Sequence, residues 1–335
     1  MGGRSRGRRR DSVRPCAATR GSCVISSRPG PVKAAGSVCV AAGGERMDRP
    51  DRGGQADLDQ RRDRARSGAM SVPTETNSNV EVIYLDPPSV GNPCLGQRHP
   101  DGGAIRYSHV GIGSFDGVHV GHHEVLRGCD TVLTFDPHPL RVLDPGRAPR
   151  LLGDRSVKLR KLAELGIRRV AFIPFDVRWS QVSPEQFVEH VLLDGLQAAA
   201  VSVGENFRFG AGGAGTPRML EEHPMLRSRI VPVVSRDGDV VSSTRIRALV
   251  AAGDVAGAAS LLTEPLVMPA VVDKNGRLIV DEAYALPAAG RYLGEVSGRS
   301  VVVDIRDDGT VYAVDGWCPG EVVYVSFLRR AESPT

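Results

Sequence analysis

The middle of the chain alternates between apolar runs of strand length and longer segments with one apolar face. The runs VEVIYL, YSHVGIGSF, TVLTF, RRVAFIPF and AAAVSVG predict strands, the second ending in a glycine turn. The segments HHEVLRG, SVKLRKLAELG, SPEQFVEHVLLDGL, STRIRALVAAG and DVAGAASLL predict helices. In SPEQFVEHVLLDGL, Ser183 is the predicted N-cap, Pro184 takes the first helical position and Gln186 completes a capping box. Strands separated by helices predict an α/β domain with a parallel sheet and crossover helices.

After Pro265 the alternation stops, and short β-type runs follow one another with the turn signals NG, DDG and PG between them. This pattern predicts a small antiparallel β module, in the form of a partial barrel. The chain is therefore divided into an N-terminal extension over 1–79, an α/β domain over 80–264 and a small β module over 265–335.

Charge separates the extension from the rest of the 335-residue chain. The formal net charge is +4, but the first 66 residues alone carry 16 basic and seven acidic side chains. The extension is rich in Arg and Gly and poor in apolar periodicity, which predicts disorder. It is either a tail or sequence ahead of a later start at Met47 or Met70. The remainder is slightly acidic, which argues against a nucleic-acid-binding face.

Two further features restrict the location of the protein. No stretch approaches the ~20 consecutive apolar residues of a membrane span, so no membrane association is expected. The six cysteines are scattered without a C-x-x-C pair or a secretory signal, which fits a reducing cytoplasm. Neither feature indicates an oligomeric state.

The strongest chemical signal is GSFDGVHVGH, which follows a predicted strand and opens a predicted helix. Gly113 permits a tight turn near a ligand, and the helix start offers free N–H groups for a phosphate. His119 and His122 share one face of the first turn, with Gly121 leaving room for the phosphate between them. His123 is expected to face solvent. The alternatives are ordinary surface histidines or a metal pair, but two histidines without a third ligand are weak for zinc.

A second signal is VSSTRIR at the start of a late helix. Ser243 and Thr244 supply hydroxyls and N–H groups for phosphate oxygens, and Arg247 can reach an anion at the helix start. Taken alone, this segment is only a helix N-cap.

Two more motifs lie at the carboxyl ends of predicted strands, where α/β sheets place their ligands. In TFDPHP, Asp136 is a candidate for holding Mg²⁺ or orienting a phosphate, with an Asp-Pro turn as the alternative. In GENFRFG, Asn206 is a candidate hydrogen-bond donor. Phe207 and Phe209 either line a ring-binding pocket or belong to the core, and at least one is expected in the core.

These four motifs, in this order over roughly 105–262, resemble the bacterial bifunctional riboflavin kinase/FMN adenylyltransferase family, also called FAD synthetase. The resemblance implies a Rossmann-like nucleotidyltransferase fold and the reaction of ATP with FMN to give FAD and pyrophosphate, with Mg²⁺. It implies that His119 and His122 contact the ATP phosphates and that Asp136 and Asn206 assist the transfer. It also implies that the β- and γ-phosphates are bound by Ser243, Thr244 and Arg247. Further contacts with nucleotide or flavin are implied for Gly113, Phe115, Asp116, Gly121 and Phe207.

The chain departs from this family in two places. The crossover from His122 to Thr134 is short and allows about two helical turns. The C-terminal module keeps DKNGRLIV and LPAAGRYLGEV but lacks the P-T-A-N stretch of the kinase, so riboflavin kinase activity is expected to be lost. Two other interpretations stay open: transfer to a different phosphorylated acceptor, or a non-catalytic nucleotide or flavin sensor.

Overall fold

The computed structural model describes the backbone of residues 75–77 and the full residues 80–88, 108–313 and 317–331. The expected disordered extension lies outside these ranges except for its last part. Glu75–Asn77 forms strand β1, which pairs antiparallel with β2 (Val80–Tyr84). This strand lies within the range assigned to the extension, and it pairs with the free edge of β2. The boundary at residue 79 stays a prediction.

The first sheet has seven strands in the order β1-β2-β5-β4-β3-β6-β7, and all neighbours after β1 run parallel. This confirms the Rossmann-like α/β prediction. The strands that complete it are β3 (Ser108–Ile112), β4 (Thr131–Phe135), β5 (Arg169–Ile173), β6 (Ala198–Gly204) and β7 (Arg227–Val231).

Among the residues described for this domain, seven helices connect and flank the strands. They are α1 (Val120–Leu126), α2 (Pro139–Leu143), α3 (Arg155–Glu164), α4 (Pro184–Gln186, continued by a π-helical stretch Phe187–Gly195), α5 (Pro217–Glu221), α6 (Ser243–Ala251) and α7 (Val255–Leu262). Short 3₁₀ turns occupy Pro145–Arg147, Trp179–Gln181 and Ala211–Gly213. The predicted capping box of α4 is present, because Ser183 and Gln186 bond each other's backbone N–H groups.

The alternating side chains of the strands bury both faces of the sheet. On one face Val132 of β4 and Phe172 of β5 pack with α1 and α3. On the other face Leu133 and Ile173 pack with α4. This two-sided burial explains why the strands read as nearly continuous apolar runs in the sequence.

The crossover through α1 is as short as predicted, since this helix has seven residues. It nevertheless buries Val125 and Leu126 against the sheet. The helix can lie this close because Gly111 of β3 has no side chain: a Cβ there would come within 2.5 Å of Leu126 Cδ2.

The C-terminal module is a closed six-stranded barrel in the order β10-β11-β14-β13-β12-β15, which corrects the prediction of a partial barrel. The first and last strands close it, since β10 and β15 pair in register from Leu266↔Phe327 to Val271↔Val322. The strands are β10 (Leu266–Val272), β11 (Arg277–Ile279), β12 (Gly290–Val296), β13 (Arg299–Ile305), β14 (Val311–Ala313) and β15 (Val322–Arg330). A small hairpin of β8 (Ser235–Arg236) and β9 (Asp239–Val240) precedes α6.

The barrel shares one apolar core with the last two helices of the α/β domain. Ile246 of α6 and Leu262 of α7 belong to the same buried cluster as Leu266, Tyr292 and Phe327 of the barrel. Within the described ranges, no helix combines the length and apolar character needed to cross a membrane.

Candidate active site

The four predicted motifs meet at one edge of the parallel sheet. The HxGH loop follows β3, the DPHP loop follows β4, and the ENFRFG loop follows β6. The SSTRIR segment opens α6 after β7 and the β8–β9 hairpin. Because β4, β3, β6 and β7 are consecutive neighbours that run parallel, their carboxyl ends bring these segments to one place.

The loop before α1 has a strained backbone. Phe115 and Val118 have φ angles of 46° and 44°, in the left-handed region that non-glycine residues rarely adopt. Both side chains are almost fully buried. Such conformations persist only where the surroundings hold them, and they concentrate at functional sites.

His119 and His122 stack face to face at this loop, with ring centroids 3.6 Å apart. Burial is the main cause that lowers the pKa of His119 to about 4, and the neighbouring His123 lowers it further. Burial also holds the pKa of His122 well below its usual value, with His119 as the next cause. Both rings are therefore neutral at pH 7, which lets them stack without repulsion.

The two rings also keep unused hydrogen-bonding capacity. The Nδ1 atoms of His119 and His122 are buried and have no protein hydrogen-bond partner. Buried polar atoms are normally satisfied, so an unpaired pair at a strand end indicates a ligand site. The edge of the Phe115 ring packs on His122 at 5.2 Å and holds it in place.

The residues around the rings act mainly through packing. A Cβ at Gly121 would lie 3.2 Å from the His119 ring, and a Cβ at Gly113 would lie 3.2 Å from the Phe115 ring. These glycines therefore make room for side chains of the loop itself. The expectation for His123 was wrong: this residue is half-buried, and its Nε2 lies 3.2 Å from the Val118 carbonyl oxygen.

Asp116 joins the HxGH loop to α6. Its buried carboxylate pairs with Arg247 at 2.5 Å and accepts a hydrogen bond from the Leu152 backbone N–H at 3.0 Å. Arg247 also donates from Nε to the Arg150 carbonyl oxygen at 2.6 Å. Asp116 thus acts as an anchor for Arg247, and contact with the nucleotide through its side chain stays a prediction.

The start of α6 is bound to the same loop. Ser242 is the N-cap, accepting from the Arg245 N–H, and Ser243 Oγ donates to the Asp116 carbonyl oxygen at 3.2 Å. Thr244, one residue further, is exposed. The structure therefore brings Ser243 and Arg247 to Asp116 of the HxGH loop, while Thr244 is left open to solvent at the helix start.

Two lysines of α3 were missed by the sequence analysis. Lys158 Nζ donates to the Ser114 carbonyl oxygen at 2.9 Å, and Lys161 Nζ donates to that of Gly117 at 2.9 Å. Burial is the main cause that lowers the pKa of each. The signal was present, since lysines three apart on a helix share one face, but the segment SVKLRKLAELG was used only to predict a helix.

The DPHP loop after β4 contains Asp136, which is exposed, and His138, which is half-buried. Burial lowers the pKa of His138, and the charges of Asp116 and Arg247 act on it as the next causes. His138 was not singled out from the sequence, although it lies between the two prolines of the motif. Its ring places this loop in the electrostatic neighbourhood of the Asp116–Arg247 pair.

An apolar cleft of about 330 Å³ is bordered by the same segment, since Phe135 and Pro139 line it. It is lined by Phe135, Pro139, Leu143, Ile173, Phe175, Trp179, Ser180, Val182, Phe187, Arg208, Phe209, Gly210, Gly212 and Gly213. A volume of this size with mostly apolar and aromatic walls is typical of a small-molecule site.

The ENFRFG loop contributes to this cleft unevenly. Phe209 is buried and packs on Phe187 and Phe207 with ring centroids 5.2 and 5.6 Å apart. This confirms that at least one phenylalanine of the motif is in the core. Phe207 is half-buried and Asn206 is exposed, so the structure does not itself bring the Asn206 side chain to the histidines.

Comparisons with known proteins identify relatives of this arrangement. A family model described as FAD synthetase matches residues 104–245. The chain is 32% identical over 213 residues to a protein named FAD synthetase from Listeria monocytogenes, covering 60% of this chain and 84% of that protein. It is 33% identical over 184 residues to the bifunctional riboflavin kinase/FMN adenylyltransferase of Escherichia coli strain K12. That match covers 50% of this chain and 59% of the Escherichia coli protein.

A solved structure supports the fold alone. The crystal structure titled as a macrolide-efflux protein from Streptococcus pneumoniae superposes with a TM-score of 0.60 at 24% sequence identity. The superposition covers 70% of this chain and 88% of that one.

Proposed function

Because the chain belongs to the FAD synthetase family, we propose that it is an FMN adenylyltransferase, which converts ATP and FMN to FAD and pyrophosphate. One observation supports the proposal most strongly. The loop that carries the stacked His119–His122 pair also contains Asp116, which forms an ion pair with Arg247 of α6. A cytoplasmic location belongs to the same proposal.

The phosphates of ATP are proposed to bind between the histidine pair and the start of α6. Neutral imidazoles can each donate one ring N–H to a phosphate oxygen, while Arg247 supplies a fixed positive charge. Asp116 and the Arg150 carbonyl oxygen hold two of the guanidinium nitrogens, Nη2 and Nε. That orientation leaves Nη1 for the anion, and Ser243 and Thr244 add the hydroxyls and N–H groups of the helix start.

The transfer is proposed to proceed by positioning and charge stabilisation. The FMN phosphate oxygen attacks the α-phosphorus of ATP in line, the bond to the β-phosphate bridging oxygen breaks, and pyrophosphate leaves with that electron pair. His119 and His122 stabilise the charge that develops on the phosphate oxygens. Asn206 is proposed to assist by donating to the reacting phosphates once both substrates are bound.

The flavin ring is proposed to occupy the apolar cleft. The DPHP loop is proposed to lie between the two parts of the site. Phe135 and Pro139 line the cleft, and the pKa of His138 is shifted by burial and by the charges of Asp116 and Arg247. A substrate with an aromatic ring at one end and a phosphate at the other fits this arrangement. FMN has that chemistry.

The residues present also fit Mg²⁺ delivered with ATP. Magnesium usually keeps several waters and takes one or two carboxylates together with substrate phosphates. Asp136 is an exposed carboxylate at the end of β4, close enough to Lys158 for its charge to act on that side chain. When bound, the ion neutralises phosphate charge, and Asp136 is the residue proposed to hold it.

Loss of riboflavin kinase activity is part of the proposal. Its basis is the absence of P-T-A-N from the printed sequence between DKNGRLIV and LPAAGRYLGEV. The barrel interior is filled by its own side chains, including Tyr292, Val303 and Phe327. The barrel is therefore proposed to support the adenylyltransferase domain through their shared core.

The test is product analysis with the full chain. The protein is incubated with Mg-ATP and either FMN or riboflavin, and the flavins are resolved by chromatography. FAD from FMN with no FMN from riboflavin is the expected result. FMN formed from riboflavin would overturn the loss of kinase activity. Pyrophosphate release only with another phosphorylated acceptor, or ligand binding without turnover, would overturn FMN adenylylation.

A further inference from the structure

Lys161 of α3 lies against the HxGH loop, to which it bonds at Gly117. Its ammonium group makes three contacts: the Gly117 carbonyl oxygen at 2.9 Å, the Leu262 carbonyl oxygen at 3.1 Å and Glu264 Oε1 at 3.2 Å. The side chain is only 8% exposed. An ammonium group has three N–H donors, so all three are used within the protein and none remains for a phosphate.

The three contacts join separate parts of the molecule. Gly117 belongs to the strained loop and has a φ of +78°, between Phe115 and Val118 with their own positive φ values. Leu262 ends α7, and Glu264 stands just before the first barrel strand. A Cβ at Gly117 would lie 2.8 Å from Leu262 Cδ2, so the loop is packed directly on the end of α7 as well as bonded to it through Lys161.

The loop needs such support because its conformation is costly on its own. Positive φ angles at two non-glycine residues are unfavourable, and the surrounding structure must offset their cost. His119 is the N-cap residue of α1, directly after Val118, so the position of its ring depends on the loop conformation. A change of loop conformation would move both stacked rings.

We propose that Lys161 is a positioning residue for adenylyl transfer, which holds the loop 114–118 in its strained conformation by bonding it to the end of α7 and to Glu264. This inference rests on the proposed function for its catalytic consequence. It assigns to the junction with the barrel a direct part in shaping the nucleotide site.

The principal test is the Lys161→Met variant, which keeps the apolar stem and removes the ammonium group. We expect kcat/KM for ATP to fall about 100-fold, the size of effect caused by misplacing reacting groups by ~1 Å. KM for FMN should change less than threefold, since the apolar cleft does not contact Lys161. Unchanged kcat/KM for ATP would overturn the proposal.

A matched control is available on the same helix. Arg160 also bonds Glu264, at 2.7 and 2.8 Å, but its contacts are with Glu264 and Glu164 and not with the loop. Arg160→Met should therefore leave the kinetics within twofold of the unaltered protein. An equal loss in both variants would show that only the ion pairing around Glu264 matters, and would overturn the role of the loop contact.

A milder variant covers the case in which Lys161→Met does not fold. Lys161→Arg keeps the charge, but its planar fork cannot present three N–H groups around one nitrogen. We expect a loss of about tenfold in kcat/KM for ATP. Kinetics equal to those of the unaltered protein would overturn the positioning role.

A readout independent of FAD formation separates this inference from the proposed function. Ring-proton NMR should show His119 titrating near pH 4 in the unaltered protein and in Arg160→Met. It should titrate closer to 6.5 in Lys161→Arg, because this variant keeps the positive charge that itself lowers the His119 pKa and so reports only the loss of burial. If the unaltered protein makes no FAD, the adenylyltransferase proposal fails, while this titration still tests Lys161. The same low titration in every variant would overturn the inference.

Discussion

The carboxyl edge of the parallel sheet and the interior of the barrel differ in how their buried polar atoms are hydrogen-bonded. At the sheet edge, His119 and His122 are stacked, neutral and left with unpartnered Nδ1 atoms. In the barrel interior, apolar side chains fill the space, and the buried Tyr292 donates its hydroxyl to the Ala288 carbonyl oxygen at 2.6 Å. At the margin of this core, the partly buried Trp317 leaves its Nε1 without a protein partner. The sheet edge therefore leaves polar atoms of two stacked rings unpaired, whereas the fully buried side chains described inside the barrel are apolar apart from the hydrogen-bonded Tyr292.

This difference corresponds to two proposed roles, ligand binding at the sheet edge and structural support by the barrel. Unpaired buried donors and strained backbone reduce stability, so they persist where a ligand uses them. A barrel interior that is filled with apolar side chains contributes to stability and offers no room for a substrate. Reactivity is therefore assigned to the sheet edge, and the barrel is assigned the support of α6 and α7, which carry Arg247 and Leu262.

The largest expected effect tests the edge directly. His122→Ala removes one donor from the proposed phosphate site, and we expect kcat for FAD formation to fall about 10²–10³-fold, as for loss of one oxyanion-type donor. Steady-state kinetics with Mg-ATP and FMN measure this. Tyr292→Phe in the barrel is the control, with lower stability and kinetics unchanged within twofold. Equal kinetic losses in the two variants would remove the functional distinction between the regions.

The next largest effect is on the pH dependence of the free energy of unfolding. His119 has a folded pKa of about 4 against an ordinary 6.5, so the unfolded chain binds more protons between these values. Stability is therefore full above pH 6.5 and is lost as pH falls toward 4, by about 3 kcal/mol for this group. Urea unfolding from pH 7 to 4.5 should show this slope. His119→Asn should reduce it, with the remaining slope due to the low pKa of His122. The same slope in both proteins would place the acid sensitivity elsewhere.

The smallest effects come from adding one methyl group in each region. Gly294 lies at an irregularity of β12, and a Cβ there would collide with the Ser326 backbone oxygen. Gly294→Ala should lower the free energy of unfolding by about 1–3 kcal/mol without changing kcat. Gly121→Ala, whose Cβ would press on the His119 ring, should lower kcat with a smaller loss of stability. Thermal unfolding and steady-state kinetics of both variants test this. A lower kcat for Gly294→Ala together with an unchanged kcat for Gly121→Ala would contradict the comparison.

Much of the local structure was predictable because its causes lie within a few residues. The capping box of Ser183 and Gln186 and the strand and helix pattern follow from neighbouring residue types. The HxGH and SSTRIR motifs were predicted as partners, and the structure brings them together through Asp116. The roles of the site residues in binding and transfer stay predictions.

Other features depended on distant parts of the chain. A carboxylate in a loop and an arginine in a later helix give no local sign that they will pair, as Asp116 and Arg247 do. Lys161 was hidden in an amphipathic pattern, because lysines usually face solvent. Closure of the barrel depended on the pairing of β10 with β15, whose register no single strand specifies.

The sequence by itself determined the order of elements, their caps and the residue types available for phosphate chemistry, since these depend on contacts along a few neighbouring residues. Only the tertiary structure decided which of these residues are buried, paired or strained. The low pKa of His119, the anchoring of Arg247 and the three bonds of Lys161 all arise from burial and contact between segments far apart in the chain. Burial and long-range contact exist only after the chain has packed, and they make the sheet edge differ from the barrel.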